Sequence, residues 1–217
     1  MTTTASPEPA PDANTLEIYR DDGPLARALG AALGGAIGLP AIVLVVVGAM
    51  PLLALIALDE SGASDGAAGL AVAWFALAGG ISSGSPNTGS LRWAAIPVLR
   101  LGEYAGILWL AALAGGAGPA AAFALLAALA FRHYDLMYRL RYQATPTPRW
   151  VGDLAGGWEG RLIAGWALLV ADALPAGFFA LAAALGAVFV GESIASWTRI
   201  QDIQAVVSYE DEEAEEE

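Results

Sequence analysis

Long apolar runs, separated by short polar or glycine-rich segments, occupy most of the chain. A helix of about 20 apolar residues is long enough to cross the hydrocarbon core of a bilayer. The runs that we interpret as spans lie at residues 25–58, where Pro40 predicts a kink, and at residues 67–81, 101–113, 120–142 and 162–197. The last run is too long for one crossing, and the turn-forming segment at residues 172–177 divides it in two. The pattern therefore predicts an all-α polytopic membrane bundle of about six transmembrane helices in three hairpins.

The segments around the spans complete the predicted organisation. We expect a polar loop at residues 82–90, an interfacial helix at 91–100, a tight turn at 115–119 and a loop at 149–160. Gly30, Gly34 and Gly38 recur at every fourth position, which predicts a smooth helix face that another helix can approach closely. The chain is accordingly divided into a disordered leader (residues 1–15), a membrane domain (16–200) and an acidic disordered tail (201–217).

The composition agrees with a membrane protein and limits its chemistry. Hydrophobic residues make up 57% of the chain and charged residues 15%, whereas soluble domains carry about 25% charge. There is no cysteine, which excludes disulfide and thiol chemistry. Much of the net charge of −12 comes from the acidic tail, and no domain is basic, so we expect no nucleic-acid partner.

All ten basic residues are arginines, and the six-span arrangement places every one of them on the same side. They are Arg20, Arg27, Arg92, Arg100, Arg132, Arg139, Arg141, Arg149, Arg161 and Arg199. The opposite loops contain Asp59, Glu60, Asp65 and Asp172 and no basic residue. Because cytoplasmic loops are enriched in arginine and lysine, we predict a multi-pass protein of a prokaryotic plasma (inner) membrane with both termini cytoplasmic.

The charged end of the fourth span is the strongest candidate site for binding. Arg132 and Arg139 share one helix face, and Arg141 lies beside them. Arg161 follows at the start of the fifth span. Guanidinium groups grip phosphate bidentately, so these four arginines are the candidate phosphate-binding residues. The alternative interpretation is that they are topological signals next to an aromatic belt.

Three further residues in this region are candidate catalytic groups. His133 is the only histidine and has an unperturbed pKa near neutrality, so it suits an acid or a base. Asp135 and Glu159 are carboxylates that could act with it, or hold a divalent cation against a phosphate. We predict no dedicated metal site and no cofactor. Asp135 also has a simpler interpretation, which is that it neutralises the neighbouring arginines.

Two carboxylates, Glu103 and Glu192, lie inside the ends of apolar spans, where a charge is costly unless it is paired or hydrated. One interpretation places both at the cytoplasmic interface in contact with water. The other pairs them with Arg100 or Arg161 around a polar cavity. The sequence leaves both open.

Several short phrases resemble those of an actinobacterial integral-membrane domain of unknown function. They are Phe-Arg-His-Tyr-Asp at residues 131–135, Gly-Trp-Glu-Gly-Arg at 157–161, Gly-Glu-Ser at 191–193 and Asp-Asp-Gly-Pro-Leu at 21–25. That domain is often fused to a nucleotidyltransferase and a CDP-alcohol phosphotransferase. The resemblance implies a role near phospholipid or CDP-alcohol chemistry. Asp22 and Arg27 also fit the opening of the CDP-alcohol phosphotransferase signature, but its metal-binding carboxylates are missing, so we treat that match as coincidental.

These observations lead to a ranked set of functions. The first is an accessory module for phospholipid or CDP-alcohol metabolism, docked by its glycine face to a CDP-alcohol phosphotransferase or to a second copy of itself in the lipid bilayer. The rival is a membrane enzyme or binder of a phosphorylated lipid headgroup that uses the arginine, histidine and carboxylate side chains named above. A transporter is third, because the spans contain almost no charge at mid-depth.

Overall fold

The structure is a computed structural model that describes residues 19–58, 62–142 and 147–216, with side chains given except for Tyr142 and those beyond Arg199. The described chain is helical and contains no strand. Its helices, in order, are α1 (Pro24–Ile37), α2 (Ala41–Leu58), α3 (Asp65–Ile81), α4 (Ala95–Ala114), α5 (Gly118–Tyr142), α6 (Arg149–Leu154), α7 (Gly157–Val170) and α8 (Leu174–Glu216). A 3₁₀ turn (Ser82–Gly84) extends α3, and another (Arg92–Ala94) precedes α4.

Five segments are long and apolar enough to cross a membrane, which confirms the predicted all-helical membrane bundle. They are Ala41–Leu58, Asp65–Gly84, Arg92–Ala114, Gly118–Arg141 and Leu174–Arg199. The predicted fifth crossing corresponds to α7, which has 14 residues. At 1.5 Å per residue it measures about 21 Å, shorter than a hydrocarbon core of about 30 Å.

The first apolar run is two helices, so the prediction of one kinked span over residues 25–58 is wrong. Gly38 adopts a left-handed conformation (φ 66°) and ends α1, and Pro40 precedes the new helix α2. The amide of Ala41 donates to the carbonyl of Pro86 at 3.0 Å. Residues 38–40 therefore form a turn held at the C-terminal end of α3.

The glycine face of α1 is occupied within the chain rather than left for a partner. A Cβ added at Gly30 would overlap Ser83, and one at Gly34 would overlap the backbone of Gly84. The two segments thus cross with almost no side-chain volume between them. This corrects the prediction that the glycine face docks another protein.

Two boundary predictions also need correction. Residues 95–114 are one continuous helix, not an interfacial helix followed by a separate span, because nothing interrupts α4 between Arg100 and Leu101. Residues 149–154 form the short helix α6 within the predicted loop. The backbone of the proposed tail falls within α8 as far as Glu216, but the side chains of the tail are not described. The leader lies outside the described residues. The division into leader, domain and tail stays a prediction.

The helices run back and forth, so residues from several helices meet at each end of the bundle. One end, called here the arginine end, brings together residues 19–23, the C-terminal end of α3, the first half of α4 and the start of α7. At the other end the indole of Trp166 in α7 donates to the carbonyl of Asp65, at the start of α3, at 2.8 Å. Between the ends lies a core that includes Phe75, Leu110, Trp158 and Phe178, all fully buried.

Candidate functional site

Asp21 is the centre of a buried ionic network at the arginine end. It adopts a left-handed backbone conformation (φ 52°), which is unusual for a residue other than glycine. Arg132 donates to one carboxylate oxygen at 2.7 Å, and Arg161 donates to the other at 2.9 Å. Burial alone raises the pKa of this carboxyl, but the guanidinium groups of Arg161 and Arg132, together with His133, hold the pKa well below its usual value. Asp21 is therefore ionised and joins α5 to α7.

Glu103 extends the network into α4. Its side chain is 0% exposed, and Arg161 donates to it through Nε at 2.7 Å. Arg100 donates to its other oxygen at 2.6 Å and also to the backbone carbonyl of Tyr19 at 2.9 Å. Of the two interpretations of Glu103, paired and hydrated, the paired one is confirmed. A buried carboxylate between two arginines avoids the cost of an isolated charge.

Arg20 and Asp22, which flank Asp21, are also fixed by side chains from other helices. Arg20 pairs with Asp22 at 2.7 Å and donates to the hydroxyl of Ser82 at 2.9 Å. The buried indole of Trp158 donates to the other oxygen of Asp22 at 2.9 Å. These contacts join residues 20–22 to the end of α3 and to α7, which holds Asp21 in place.

Glu159 has a structural partner that the sequence did not reveal. Its two carboxylate oxygens accept the backbone N–H groups of Gly23 (3.1 Å) and Ala26 (3.0 Å), at the start of α1. Carboxylates are favoured at a helix N-terminus because the first N–H groups have no partner in the helix. Glu159 therefore caps α1, although it lies 133 residues after Ala26 in the sequence.

A second ionic cluster joins α5 to α8. Arg139 pairs with Asp135 at 2.7 Å and binds both oxygens of Glu192, at 3.1 and 2.6 Å. The hydroxyl of Ser193 donates to Asp135 at 2.7 Å. The expectation that Glu192 is paired holds, but its main partner is Arg139 and not Arg100 or Arg161. This cluster ties the long helix α8 to α5.

A cavity of about 780 Å³ opens at the arginine end beside Arg132. It lies between α1, α5 and α6, and Arg27 and Arg149 also line it. Only one terminal nitrogen of Arg132 is bound, to Asp21; its Nε and Nη1 are buried and have no partner among the described residues. The Cζ atom of the same guanidinium lies 5.0 Å from the ring centroid of Phe189. Because buried donors without an acceptor are uncommon in proteins, Arg132 is the candidate for binding a ligand in this cavity. An exposed ion pair between Arg27 and Asp153 links α1 to α6 at the cavity.

The three candidate catalytic residues are not brought together. His133 faces α4, where its Nδ1 lies 2.6 Å from the hydroxyl of Tyr104. Asp135 faces α8 and Glu159 faces α1, through the contacts above. Their roles as acid, base or metal ligand stay a prediction. Among the described residues, no group of three His, Cys, Asp or Glu side chains is arranged to hold a metal ion.

The four candidate phosphate-binding arginines are divided between different surroundings. Arg132 and Arg161 meet at Asp21, Arg139 belongs to the cluster with Glu192, and Arg141 is exposed further along α5. Arg27 and Arg149, which line the cavity, were not among the candidates. No sequence signal marks them, because they reach the cavity from α1 and α6, whose boundaries were not predicted.

The family comparison matches nearly the whole chain. A model described as a family of unknown function covers residues 11–215. The chain belongs to this family, DUF5941. This confirms the resemblance to a domain of unknown function. The fused enzyme domains and the actinobacterial source remain expectations. No curated protein and no solved structure matches the DUF5941 chain.

Proposed function

We propose that this DUF5941 chain is an integral membrane module that binds a phosphate-bearing ligand in the cavity beside Arg132. In this proposal the module serves an enzyme of phospholipid or CDP-alcohol metabolism and does not itself catalyse the reaction. One observation supports the binding function above the others: Arg132 lines the cavity, and two of its buried nitrogens have no acceptor among the described residues. The accessory role is supported by the resemblance of residues 131–135 and 157–161 to a domain fused to such enzymes.

The guanidinium of Arg132 suits an oxyanion. Nε and one terminal nitrogen of a guanidinium form the fork that matches two oxygens of a phosphate or carboxylate. Arg149 and Arg27 also line the wall, Arg27 as the partner of Asp153, and Asp21 and Asp22 complete its charged lining. At about 780 Å³ the cavity falls within the range of small-molecule sites and has room for more than inorganic phosphate. A phosphorylated alcohol headgroup fits this combination.

The rival proposal, an enzyme, has less support from the geometry. Both oxygens of Glu159 are engaged by backbone N–H groups, and Asp135 is engaged by Arg139 and Ser193. His133 lies on the side of α5 that faces α4 and does not line the cavity. A general base must reach the proton that it removes, and none of the three reaches the proposed ligand site.

We further propose that α7 is the fifth of six crossings and that the arginine end faces the cytoplasm. Every arginine then lies in the inner leaflet or on the cytoplasmic side, as the positive-inside rule expects. Reporter tags inserted near Ala63 and near Thr147 test the arrangement in intact cells. Accessibility of Ala63 from outside and of Thr147 from inside would support it, whereas accessibility of both from one compartment would overturn it.

Calorimetric titration of the purified protein with glycerol phosphate and with inorganic pyrophosphate tests the binding function. Replacing Arg132 by lysine keeps a cation for Asp21 but removes the fork. Because a hydrogen bond to a charged group contributes about 1.5–3 kcal/mol, we expect R132K to weaken binding by about 10- to 100-fold. Replacing the exposed Arg149 by alanine removes about 1 kcal/mol or less, so a loss of up to about fivefold is expected.

Arg199→Ala is the matched control, because Arg199 is an exposed arginine on α8 that does not line the cavity. It should leave the affinity unchanged. The proposal fails if the wild-type protein binds neither probe, or if R199A weakens binding as much as R132K does, since that result would indicate a general attraction to positive charge.

A further inference from the structure

A second recess, called here the α4–α5 groove, lies beside the Arg132 cavity along α5. It has a volume of about 510 Å³ and is walled by residues of the first half of α4 and the last half of α5. Arg132 faces the cavity, whereas its neighbour His133 faces the groove. Leu136 lines both recesses, which are therefore neighbours, and the proposed function does not use the groove.

The groove opens toward the bilayer. Both helices that form it belong to segments able to span a membrane. Trp93 is 60% exposed and Met137 is 57% exposed, and both line the groove near the arginine end. Tryptophan is enriched where a span meets the headgroup layer. These positions fit a groove that faces the lipid close to the headgroup layer.

The walls and the floor of the groove differ in polarity. Ile96, Pro97 and Met137 present apolar surface. At the floor the hydroxyl of Tyr104 is bonded to His133 at 2.6 Å, so these two polar groups form a fixed pair. A recess with apolar walls and a polar floor suits an amphiphile better than a hydrocarbon chain alone.

The charge along the groove is positive. Arg100 lines it and is held in place by Glu103 and the carbonyl of Tyr19. Arg92 lies next to Trp93 in the 3₁₀ turn that precedes α4, so it is near the groove without lining it. Arginines at headgroup depth attract anionic lipids. We propose that the α4–α5 groove binds one anionic phospholipid of the surrounding leaflet, with its phosphate at Arg92 and one acyl chain along the apolar walls.

Fluorescence quenching of Trp93 tests this proposal in the full-length protein in nanodiscs. The probes are phosphatidylglycerol and phosphatidylcholine with brominated acyl chains, and W93F gives the background of the other six of the seven tryptophans. We expect phosphatidylglycerol to quench Trp93 at a several-fold lower mole fraction than phosphatidylcholine does. Equal quenching by the two lipids would overturn the proposal, because it would show ordinary boundary lipid only.

Two variants separate a specific site from general contact with lipid. Ile96→Phe fills the groove and should abolish the preference, whereas Leu108→Phe, on the exposed surface of α4 outside the groove, should keep it. Arg92→Gln leaves the groove open but should reduce the preference by about fivefold. If I96F fails to fold, an unchanged preference in R92Q still overturns the proposal. Neither result depends on phosphate binding at Arg132.

Discussion

Replacing Glu103 by glutamine tests the buried network most severely. The substitution preserves shape but removes a charge that is fully buried and lies 2.6 Å from Arg100 and from Arg161. Arg161 then keeps only Asp21 as a carboxylate partner, which it shares with Arg132, and Arg100 keeps the carbonyl of Tyr19. Removing one partner of a buried ion pair costs about 3–5 kcal/mol, because the charge left behind is uncompensated. For a chain of this length we expect the melting temperature to fall by about 6–20 °C.

Thermal unfolding in detergent, followed by the loss of helical circular dichroism, measures this effect. The control is Arg27→Ala, because Arg27 and Asp153 form an ion pair whose side chains are 49% and 47% exposed. Removing that pair should cost about 1 kcal/mol or less. A melting temperature for E103Q that falls no further than that of R27A would refute the reasoning. It would mean that water reaches Glu103 and screens its charge.

Three further predictions follow from the described contacts. Gly84→Ala should destabilise the protein, because the added Cβ would overlap the backbone of Gly30. Gly35→Ala is the control: its Cβ would meet no atom, so the substitution should be neutral or stabilising by up to about 1 kcal/mol. The melting temperatures of the two variants test this difference. Glu159→Gln should lose about 0.5–2 kcal/mol of capping energy at α1, seen as faster amide hydrogen exchange there, and unchanged exchange would contradict the cap. Because the pKa of Asp21 is lowered in the folded state, its stabilising effect is full above the ordinary value of 3.8 and is lost as the pH falls through the lowered pKa. Asp21→Asn should therefore reduce stability at pH 7 and weaken the loss of stability as the pH falls. If the stability of the variant falls with pH as steeply as that of the wild-type protein, the prediction is wrong.

The parts of the fold that could be predicted are those with a local cause. Hydropathy alone located the apolar runs, and the glycine pair at residues 115 and 116, both with positive φ, marked the turn between α4 and α5. The division of the last run at residues 172–177 was also correct, because α7 ends at Val170 and α8 begins at Leu174. The helix through the charged stretch, ending at Tyr142, was predicted because no proline or glycine interrupts it.

The parts that could not be predicted depend on contacts between distant segments. Asp21 was noted as part of a phrase that carries the family resemblance, but its partners are 111 and 140 residues away. Periodicity showed that Gly30 and Gly34 share a face, but not that the turn after α3 covers that face. A pattern on one helix identifies a surface and leaves its partner undetermined.

The same limit applies to the candidate site. The expectation of a charged region at the end of α5 was sound, but arginines adjacent in sequence separate in the fold. Arg132 lines a cavity, whereas Arg139, seven residues later, forms ion pairs with Asp135 and Glu192. The two arginines share a face of α5, but seven residues separate them by about 10 Å along the helix axis, so they meet different neighbours.

The most direct test of the proposed function is a structure of the protein determined with glycerol phosphate bound. We expect phosphate density in the cavity between α1, α5 and α6, within hydrogen-bond distance of Nε and Nη1 of Arg132. Density for the phosphate only elsewhere on the arginine end, with those two nitrogens still lacking an acceptor, would contradict it.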